Sequence, residues 1–368
     1  MQAGCQSRLD DSPIRGLQLT QPFHHCRGMT QHSDCPLALE FSADSETGWT
    51  RRKNGTGFSY RDHAGKPLTV ADRNRVAALA IPPAWSDVWI CPSATGHLQA
   101  TGRDQRGRKQ YLYHALWSEQ RSQDKFGTLT AFAEALPKLR AQVEADLRRR
   151  TVSLPFVAAS VVWLLDNSLI RVGNSAYARD NKSFGLTTLR NRHVSIAGSA
   201  IRFRFKGKSG KHWDLQLTDR RIARIVTNLQ QLPGQHLFQY RDDDGLHPIT
   251  SREVNAYILE HTQSHFSSKD FRTWAATVSM HELLLGEPPP ESERAQARVV
   301  NAALDVVAAR LGNTRAVCRS SYVHPRVIAD WQDGTLHRMP RPPAIALLDP
   351  AERQTLAYLR KPAPATRR

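Results

Sequence analysis

Short apolar runs, interrupted by glycine and proline, dominate residues 57–114. Three of these runs have the length and composition of strands, namely Phe58–Tyr60, Asp87–Cys91 and His97–Thr101. One helix is predicted among them, because Thr69 and Asp72 have the spacing of a capping box and Pro82 cannot continue a helix. The pattern predicts a small, β-rich domain.

After residue 114 the apolar residues recur with the period of amphipathic helices. Segments of this kind are Phe126–Arg150, Leu154–Ile170, Arg220–Leu229, Ser251–His261, Lys269–Leu285 and Ser292–Leu311. Between residues 187 and 218, short alternating runs surround the basic turn KGKSGK, which predicts a small sheet ending in a hairpin. The chain is therefore predicted to be α+β, with a β-rich N-terminal domain and a mostly helical domain that carries the hairpin.

Both ends of the chain lack such periods. Residues 1–45 are rich in Gln, Ser, His and Asp, so we expect a flexible extension. Residues 341–368 are rich in Pro and Arg, so we expect a mobile tail. The β-rich domain is predicted to cover residues 46–120 and the helical domain residues 121–340.

Positive charge is in large excess. The net charge is +17 and the pI about 10.1, and residues 171–224 hold 13 Lys or Arg against three acids. Such an imbalance favours a polyanionic partner, first nucleic acid, and second an acidic membrane surface or a ribosomal contact. A membrane span is not expected, because Asp166 and Asn167 interrupt the most apolar segment.

The five cysteines show no disulfide framework, and no apolar secretory segment is visible, so we expect a cytoplasmic protein, associated with the nucleoid if DNA is its partner. One loose group of potential zinc ligands contains His24, His25, Cys26, His32 and Cys35. It lacks a CxxC pair, so we expect neither a metal nor any other cofactor.

The stretch GRDQRGRKQYLYH interleaves basic and aromatic side chains, a combination that suits a surface gripping a nucleic-acid backbone. Its candidate contact residues are Arg103, Arg106, Arg108, Lys109 and Tyr111. A solvated hairpin is the alternative interpretation.

Four residues of the helical half suit the cleavage of a DNA strand. They are Arg171 in RVGN, Lys208 in KGKSGK, Arg272 in KDFRTW and Tyr322 in CRSSYVHP. Cleavage through a covalent intermediate needs a nucleophile, fixed cations at the non-bridging phosphate oxygens, and an acid for the leaving 5′-oxygen. A tyrosine, two arginines and a lysine meet these needs without a metal. Each residue alone has an ordinary structural explanation, but their combination favours strand cleavage.

Long collinear segments resemble type IB DNA topoisomerases of the bacterial branch, which are similar to the small poxvirus enzymes. In the helical half these segments are IRVGNSAYARDNKSFGLTTLR, FRFKGKSGKHW, LPGQHLFQY, SREVNAYI, KDFRTW and LGNTRAVCRSSYVHP. In the N-terminal half they are GFSYRDHAGKPL and AIPPAWSDVWICPSATGHLQATGRDQRGRKQYLYH. The resemblance extends over residues 46–335, roughly the two predicted domains.

The resemblance implies the fold of type IB topoisomerases and tyrosine recombinases, here as a monomeric two-domain clamp on double-stranded DNA. It implies that supercoils are relaxed by transient cleavage of one strand, a 3′-phosphotyrosyl intermediate, strand rotation and religation. Neither ATP nor a metal is expected to be required.

The resemblance also implies roles by position. Tyr322 matches the nucleophile, Arg171 and Arg272 match the arginines that hold the scissile phosphate, and Lys208 matches the general acid. Asn313 falls where poxvirus and eukaryotic members have histidine and bacterial members have asparagine, and its amide is expected to hydrogen-bond a phosphate oxygen.

Further expectations concern the surroundings of these residues. Lys269, three residues before Arg272, is an auxiliary candidate for proton delivery. The predicted contacts with the DNA backbone are Tyr177, Asn181, Ser183, Thr188 and Lys211.

Two alternatives remain open at this point. A tyrosine recombinase shares the same chemistry, although recombinases commonly have histidine at the position of Lys269 and act as tetramers. A non-enzymatic DNA-packaging protein would share the charge and bind with a steep salt dependence, but it would leave DNA topology unchanged after its removal.

Overall fold

The computed structural model describes residues 39–149, 151–337, 339–340 and 342–362. The chain divides into two compact units, Met1–Ser118 and Glu119–Arg368. The predicted group of histidines and cysteines at residues 24–35 lies outside the described residues, as does most of the predicted flexible extension. The predicted domain borders stay predictions.

The described part of the first unit is built on an antiparallel sheet with the strand order β2-β1-β3-β4-β5. Its strands are β1 (Trp49–Asn54), β2 (Gly57–Arg61), β3 (Ser86–Ile90), β4 (Leu98–Arg103) and β5 (Lys109–Tyr113). Helix α1 (Val70–Ala78) begins where the hydroxyl of Thr69 accepts a hydrogen bond from the backbone N–H of Asp72 at 3.2 Å. The predicted cap is thus confirmed. Val76 is buried and packs α1 against the core of the sheet.

Three segments of this unit differ from the prediction. The sequence pattern misses β1 because this strand is polar; it reads WTRRKN and buries only Trp49. It misses β5, which reads KQYLY, because this strand follows directly on the basic turn and none of its residues is buried. Residues 39–45 were predicted to be flexible, but Glu40 donates its backbone N–H to the Thr95 carbonyl at 3.0 Å and accepts from the His97 N–H at 2.8 Å. These bonds hold Glu40 against the loop before β4, a contact that the sequence pattern does not predict.

Helices predominate in the second unit. They are α2 (Ala115–Gly127), which crosses the division, α3 (Leu129–Asp146), α4 (Leu154–Ser168), α5 (Ser175–Asn181), α6 (Arg220–Gln230), α7 (Ser251–Thr262), α8 (Ser268–Leu285), α9 (Glu293–Leu311), α10 (Arg315–Ser321), α11 (Pro325–Gln332) and α12 (Pro350–Arg360). The strands are β6 (Val194–Ala197), β7 (Ala200–Lys206) and β8 (His212–Thr218) in one antiparallel sheet, and β9 (Gln239–Asp242) and β10 (Gly245–Pro248) in another. The predicted α+β architecture is confirmed, including the small sheet with its hairpin.

Helix α4 forms the centre of this unit. Its sequence LPFVAASVVWLLDNS is apolar on nearly every side, and Val157, Val161 and Leu164 have no exposed surface. A helix that is apolar all round is stable only when other elements surround it. Here α3, α7 and α8 pack against it. None of the described helices is long and apolar enough to cross a membrane.

Two helical predictions need correction. The segment predicted as one helix from Phe126 to Arg150 contains the end of α2 and all of α3, with the break at Thr128. The tail predicted to be mobile contains α12. Its start has a capping box, since the carboxylate of Asp349 accepts from the N–H of Glu352 at 2.8 Å and Glu352 accepts from the N–H of Asp349 at 3.0 Å.

A partly buried charge cluster ties α12 to the centre of the unit. Arg140 of α3 donates to Asp166 of α4 at 2.7 and 3.0 Å and to Glu352 of α12 at 2.7 and 2.8 Å. Glu352 also accepts from the indole N–H of Trp274 in α8 at 2.9 Å. Four helices are joined by one guanidinium and the carboxylates around it.

His324 caps the start of α11. Its Nδ1 accepts from the backbone N–H of Arg326 at 3.2 Å, and its ring lies 5.2 Å from the ring of Phe126. An imidazole nitrogen can accept a hydrogen bond only while it is unprotonated. Burial, with a further contribution from the charge of Arg326 and opposed by Asp330, lowers the pKa of His324 to about 4.

We expect Glu352→Ala to destabilise the second unit by about 3 kcal/mol, because removing one member of a buried ion pair leaves the other charge uncompensated. Chemical denaturation at neutral pH measures this loss. The matched control is Glu134→Ala, since Glu134 pairs with Arg360 at 2.8 Å at the surface, where both side chains are more than 40% exposed (44% and 43%). That change is expected to cost less than about 1 kcal/mol. Equal losses in the two variants would contradict the assignment.

We expect the free energy of unfolding to fall by about 3 kcal/mol through His324 as the pH drops from about 6.5 to about 4. Between these pH values His324 is protonated in the unfolded chain but neutral in the native protein. Acid therefore favours unfolding. His324→Asn keeps an oxygen acceptor at the cap without titrating. Denaturation curves across this pH range should therefore be flatter for the variant, and an unchanged pH dependence would rule out this role of His324.

Candidate active site

Tyr322 stands where α10 stops. Its backbone N–H donates to the carbonyl of Cys318 at 3.0 Å, and its own carbonyl accepts from the hydroxyl of Thr277 at 3.3 Å. The helix begins at the N-cap Thr314, whose hydroxyl accepts from the N–H of Val317. The half-buried phenol is therefore carried by a short helix fixed at both ends, and not by a loose loop.

Arg272 places a guanidinium beside this phenol. Its side chain lies in α8 with only 3% of its surface exposed, and its Cζ is 5.2 Å from the centre of the Tyr322 ring. The two terminal nitrogens donate to the carbonyl of Leu169, which caps α4, and to the carbonyl of Leu311, the last residue of α9, at 2.7 Å in the second case. Its Nε is buried and has no acceptor among the described residues.

Arg171 and Asn313 are joined directly. Arg171 follows the left-handed end of α4 at Leu169, where φ is 57°, and its Nη2 donates to the Oδ1 of Asn313. This hydrogen bond orients the side-chain amide of Asn313, because its oxygen accepts from Arg171. The Nδ2 of Asn313 is buried without an oxygen acceptor in the described structure, and it interacts with the Cys318 sulfur, a weak acceptor. The site thus contains a second donor without a proper partner.

The cations alter the acidity of the phenol. Burial raises the pKa of Tyr322, but the charges and hydrogen bonding of Arg272 and Arg171 outweigh burial and hold the pKa below its ordinary value. Burial, followed by the charge of Arg171, lowers the pKa of Arg272 to about 10. Arg272 therefore stays charged at neutral pH while it favours the phenolate form of Tyr322.

Lys208 lies on the turn between β7 and β8. The N–H of Gly207 donates to the carbonyl of Lys211 at 2.8 Å, and Ser209 and Gly210 take positive φ values of 62° and 81° to close the turn. The Lys208 side chain is exposed at its tip. The ammonium group therefore projects from a tight turn and not from a rigid helix.

A cavity of about 370 Å³ unites most of the predicted catalytic residues. Its walls include Arg171, Lys208, Lys269, Arg272 and Tyr322, together with the predicted backbone contact Ser183. Asn313 joins the group through its bond to Arg171. Within the described residues, no three His, Cys, Asp or Glu side chains are placed to hold a metal ion.

The other predicted DNA contacts of this unit are placed differently. Asn181 and Lys211 are exposed, and only the backbone of Tyr177, in α5, is described. Thr188 is buried, and its hydroxyl accepts from the N–H of Gly185 at 2.9 Å and donates to the Gly185 carbonyl at 3.0 Å. The polar group of Thr188 is used inside the fold, and its expected contact with DNA stays a prediction.

Lys125 is a site residue that the sequence does not reveal. It lies in α2, lines the cavity, donates to the carbonyl of Ser321, and places its Nζ 5.3 Å from the centre of the Tyr322 ring. Burial lowers its pKa, while Tyr322 and Asp270 oppose this shift. No motif surrounds it, and its position depends on the packing of α2, so sequence reasoning had no signal for it.

In the first unit, the predicted basic loop joins β4 and β5. Tyr111 and Tyr113 are exposed and stacked, with ring centres 6.2 Å apart, and the Nζ of Lys109 lies 5.5 Å from the centre of the Tyr111 ring. Three of the cations have acidic partners within the unit: Arg103 with Asp87 at 3.6 Å, Arg108 with Asp104 at 2.6 Å and Lys109 with Asp44 at 2.6 Å. Arg106 is exposed at the tip. The loop is therefore a hairpin whose charges are partly neutralised, with an aromatic surface beside them.

Two family descriptions match the chain in succession. Residues 57–104 match the N-terminal domain of bacterial DNA topoisomerase IB, and residues 109–339 match the catalytic core of eukaryotic DNA topoisomerase I. The chain is 33% identical over 282 residues to DNA topoisomerase 1B of Acanthamoeba polyphaga mimivirus, which covers 74% of this chain and 84% of the viral protein.

More distant relatives agree over shorter stretches. DNA topoisomerase 1B of vaccinia virus, strain Copenhagen, is 23% identical over 107 residues, 29% of this chain and 34% of the viral protein. DNA topoisomerase 1 of Mycosarcoma maydis is 24% identical over 180 residues, 44% of this chain and 18% of the fungal protein. Because the family match spans most of the chain and the mimivirus relative agrees over nearly its whole length, the chain belongs to the type IB DNA topoisomerases.

Proposed function

We propose that this protein relaxes supercoiled double-stranded DNA by cutting and rejoining one strand through Tyr322. The observation that carries the proposal is the phenol itself, which lies beside two arginines that lower its pKa, in a cavity that also receives Lys208. A tyrosine in such surroundings is an activated nucleophile.

In the forward step Tyr322 loses its phenolic proton to solvent, and the phenolate oxygen, favoured by the two arginines, attacks the scissile phosphorus. A bond forms between that oxygen and phosphorus, the bond to the 5′-oxygen breaks, and the leaving oxygen takes a proton. The products are a 3′-phosphotyrosyl linkage and a free 5′-hydroxyl. Rotation of the free strand and the reverse attack by the 5′-hydroxyl then complete relaxation.

The buried unpaired donors support the proposed binding of the phosphate. The Nε of Arg272 and the Nδ2 of Asn313 lack oxygen partners among the described residues, and a buried donor without a partner is costly. Non-bridging phosphate oxygens would satisfy them, and negative charge developing there would be stabilised by Arg171 and Arg272. We infer that these cations supply positive charge that other enzymes take from a metal.

Lys208 is the proposed general acid, because its side chain projects from a turn and its ammonium group can reach the leaving 5′-oxygen. Lys269, at the start of α8 in the same cavity, is the auxiliary candidate.

Because the phosphotyrosyl linkage keeps the free energy of the broken bond, no ATP should be consumed. We further propose that the protein acts as a monomeric clamp on nucleoid DNA in the cytoplasm, with the β4–β5 hairpin and its exposed tyrosines as a DNA contact.

We expect the protein to relax positively and negatively supercoiled plasmid in EDTA without ATP, as read on agarose gels after the protein is removed. Tyr322→Phe should abolish relaxation and covalent attachment yet bind DNA nearly as well, because phosphate contacts provide most of the affinity. A requirement for ATP or magnesium, or relaxation by Tyr322→Phe near the normal rate, would refute the proposal. A DNA-packaging protein would leave supercoiling unchanged in every lane.

We expect a strand with a 5′-bridging sulfur to separate the acid from the phosphate-binding residues, because a thiolate leaves without a proton. Lys208→Ala should cleave normal DNA slower by about 10²–10⁴-fold and cleave the sulfur-bridged strand at nearly the normal rate. Arg171→Ala and Arg272→Ala should stay slow on both strands, with Asn313→Ala a milder case. Single-turnover cleavage rates test this, and rescue of an arginine variant but not of Lys208→Ala would show that the acid is another residue, with Lys269 or Lys211 next.

A further inference from the structure

Trp213 occupies an unusual position beside the catalytic hairpin. It lies on β8 directly opposite Phe205 of β7, and the two rings are stacked with centres 6.0 Å apart and an angle of 3° between their planes. The residue is half-buried. This pairing fixes the plane of the indole relative to the strands that carry the Lys208 turn.

The five-membered ring of the indole lies against the residue before the proposed acid. A β-carbon at Gly207 would lie 2.8 Å from both Cδ1 and Nε1 of Trp213, closer than real atoms approach. The φ of Gly207 is −94°, so its backbone needs no glycine. Glycine at this position is explained by the contact with the five-membered ring of the indole.

The adjoining atoms of the six-membered ring face the residue before Asn313. A β-carbon at Gly312 would lie 2.7 Å from Cζ2 and 3.1 Å from Cε2 of Trp213. Gly312 ends α9 with a φ of 63°, and the N–H of Asn313 donates to the carbonyl of Ala308 at 3.0 Å. Here the backbone conformation and the indole both favour glycine.

The two fused rings of one rigid indole thus contact the residues that precede Lys208 and Asn313. We propose that Trp213 is a positioning residue that sets the distance between the Lys208 turn and the Asn313 turn, so that acid and phosphate-binding amide reach the same phosphodiester. This inference rests on the proposed function. An indole has few rotatable bonds, so its ring can hold both turns at a defined separation.

The test measures single-turnover cleavage by Trp213→Leu on normal and sulfur-bridged strands. On normal DNA we expect a loss on the order of 10- to 100-fold, because small misplacement of a catalytic group is costly. On the sulfur-bridged strand no acid is needed, so only the displacement of Asn313 should matter. The loss in cleavage rate should therefore shrink to that of Asn313→Ala. The same reasoning applies to double variants on normal DNA. The cleavage rate of Trp213→Leu/Lys208→Ala should be nearly as high as that of Lys208→Ala/Asn313→Ala.

Two further variants guard the interpretation. Trp163→Leu removes a half-buried tryptophan from α4, distant in sequence from the turn. It should leave unchanged the ratio of the cleavage rates on normal and sulfur-bridged strands. Trp213→Phe keeps an aromatic ring opposite Phe205 but loses the second ring of the indole, and it should give the same pattern with a smaller loss even if the leucine variant does not fold.

Equal loss on both strands in Trp213→Phe, or no loss at all, would overturn the inference. Failure of sulfur to rescue Lys208→Ala would instead refute the acid assignment of the proposed function. The two failures are therefore distinguishable in one set of rates.

Discussion

Arg272 holds a positive charge inside the protein, and the surrounding structure depends on how that charge is accommodated. No carboxylate pairs with it in the described structure. The carbonyl of Leu169 at the end of α4 and the carbonyl of Leu311 at the end of α9 accept its hydrogen bonds. Helix C-termini carry partial negative charge, so they can stabilise a guanidinium without neutralising it. The charge remains available to the phenol beside it.

This arrangement also fixes which elements must meet. The ends of α4 and α9 have to converge on α8, and the residues that follow those ends are Arg171 and Asn313. The same convergence brings Arg171 to the Asn313 amide and leaves buried donors around Tyr322. A buried carboxylate in place of the two carbonyls would satisfy Arg272, but it would also compete with a phosphate. The fold therefore keeps the site electrostatically incomplete until an anion enters.

The sequence predicts much of this arrangement because its strongest signals are local. The apolar period of α4, the alternating runs of β6–β8 and the turn at Lys208 each need only neighbouring residues, and the order of the motifs identifies the family. Lys125 could not be found in this way, because its contact with Tyr322 depends on the packing of α2. Nor does a motif position reveal that the hydroxyl of Thr188 bonds to Gly185 inside the fold. Helix α12 was missed although its capping box is visible at Asp349, because prolines dominate the segment before it.

Helix α12 has a further consequence for how the protein is made. Arg140 is synthesised long before Glu352, yet its guanidinium is compensated on both sides only when α12 has docked. Through Trp274 the same docking supports α8, two residues from Arg272. A growing chain therefore carries Tyr322 before the helix that holds Arg272 is braced. If Tyr322 is the nucleophile, as proposed, an interrupted chain that stops before residue 350 would hold it in an unfinished site, and strand cleavage would be acquired late in synthesis.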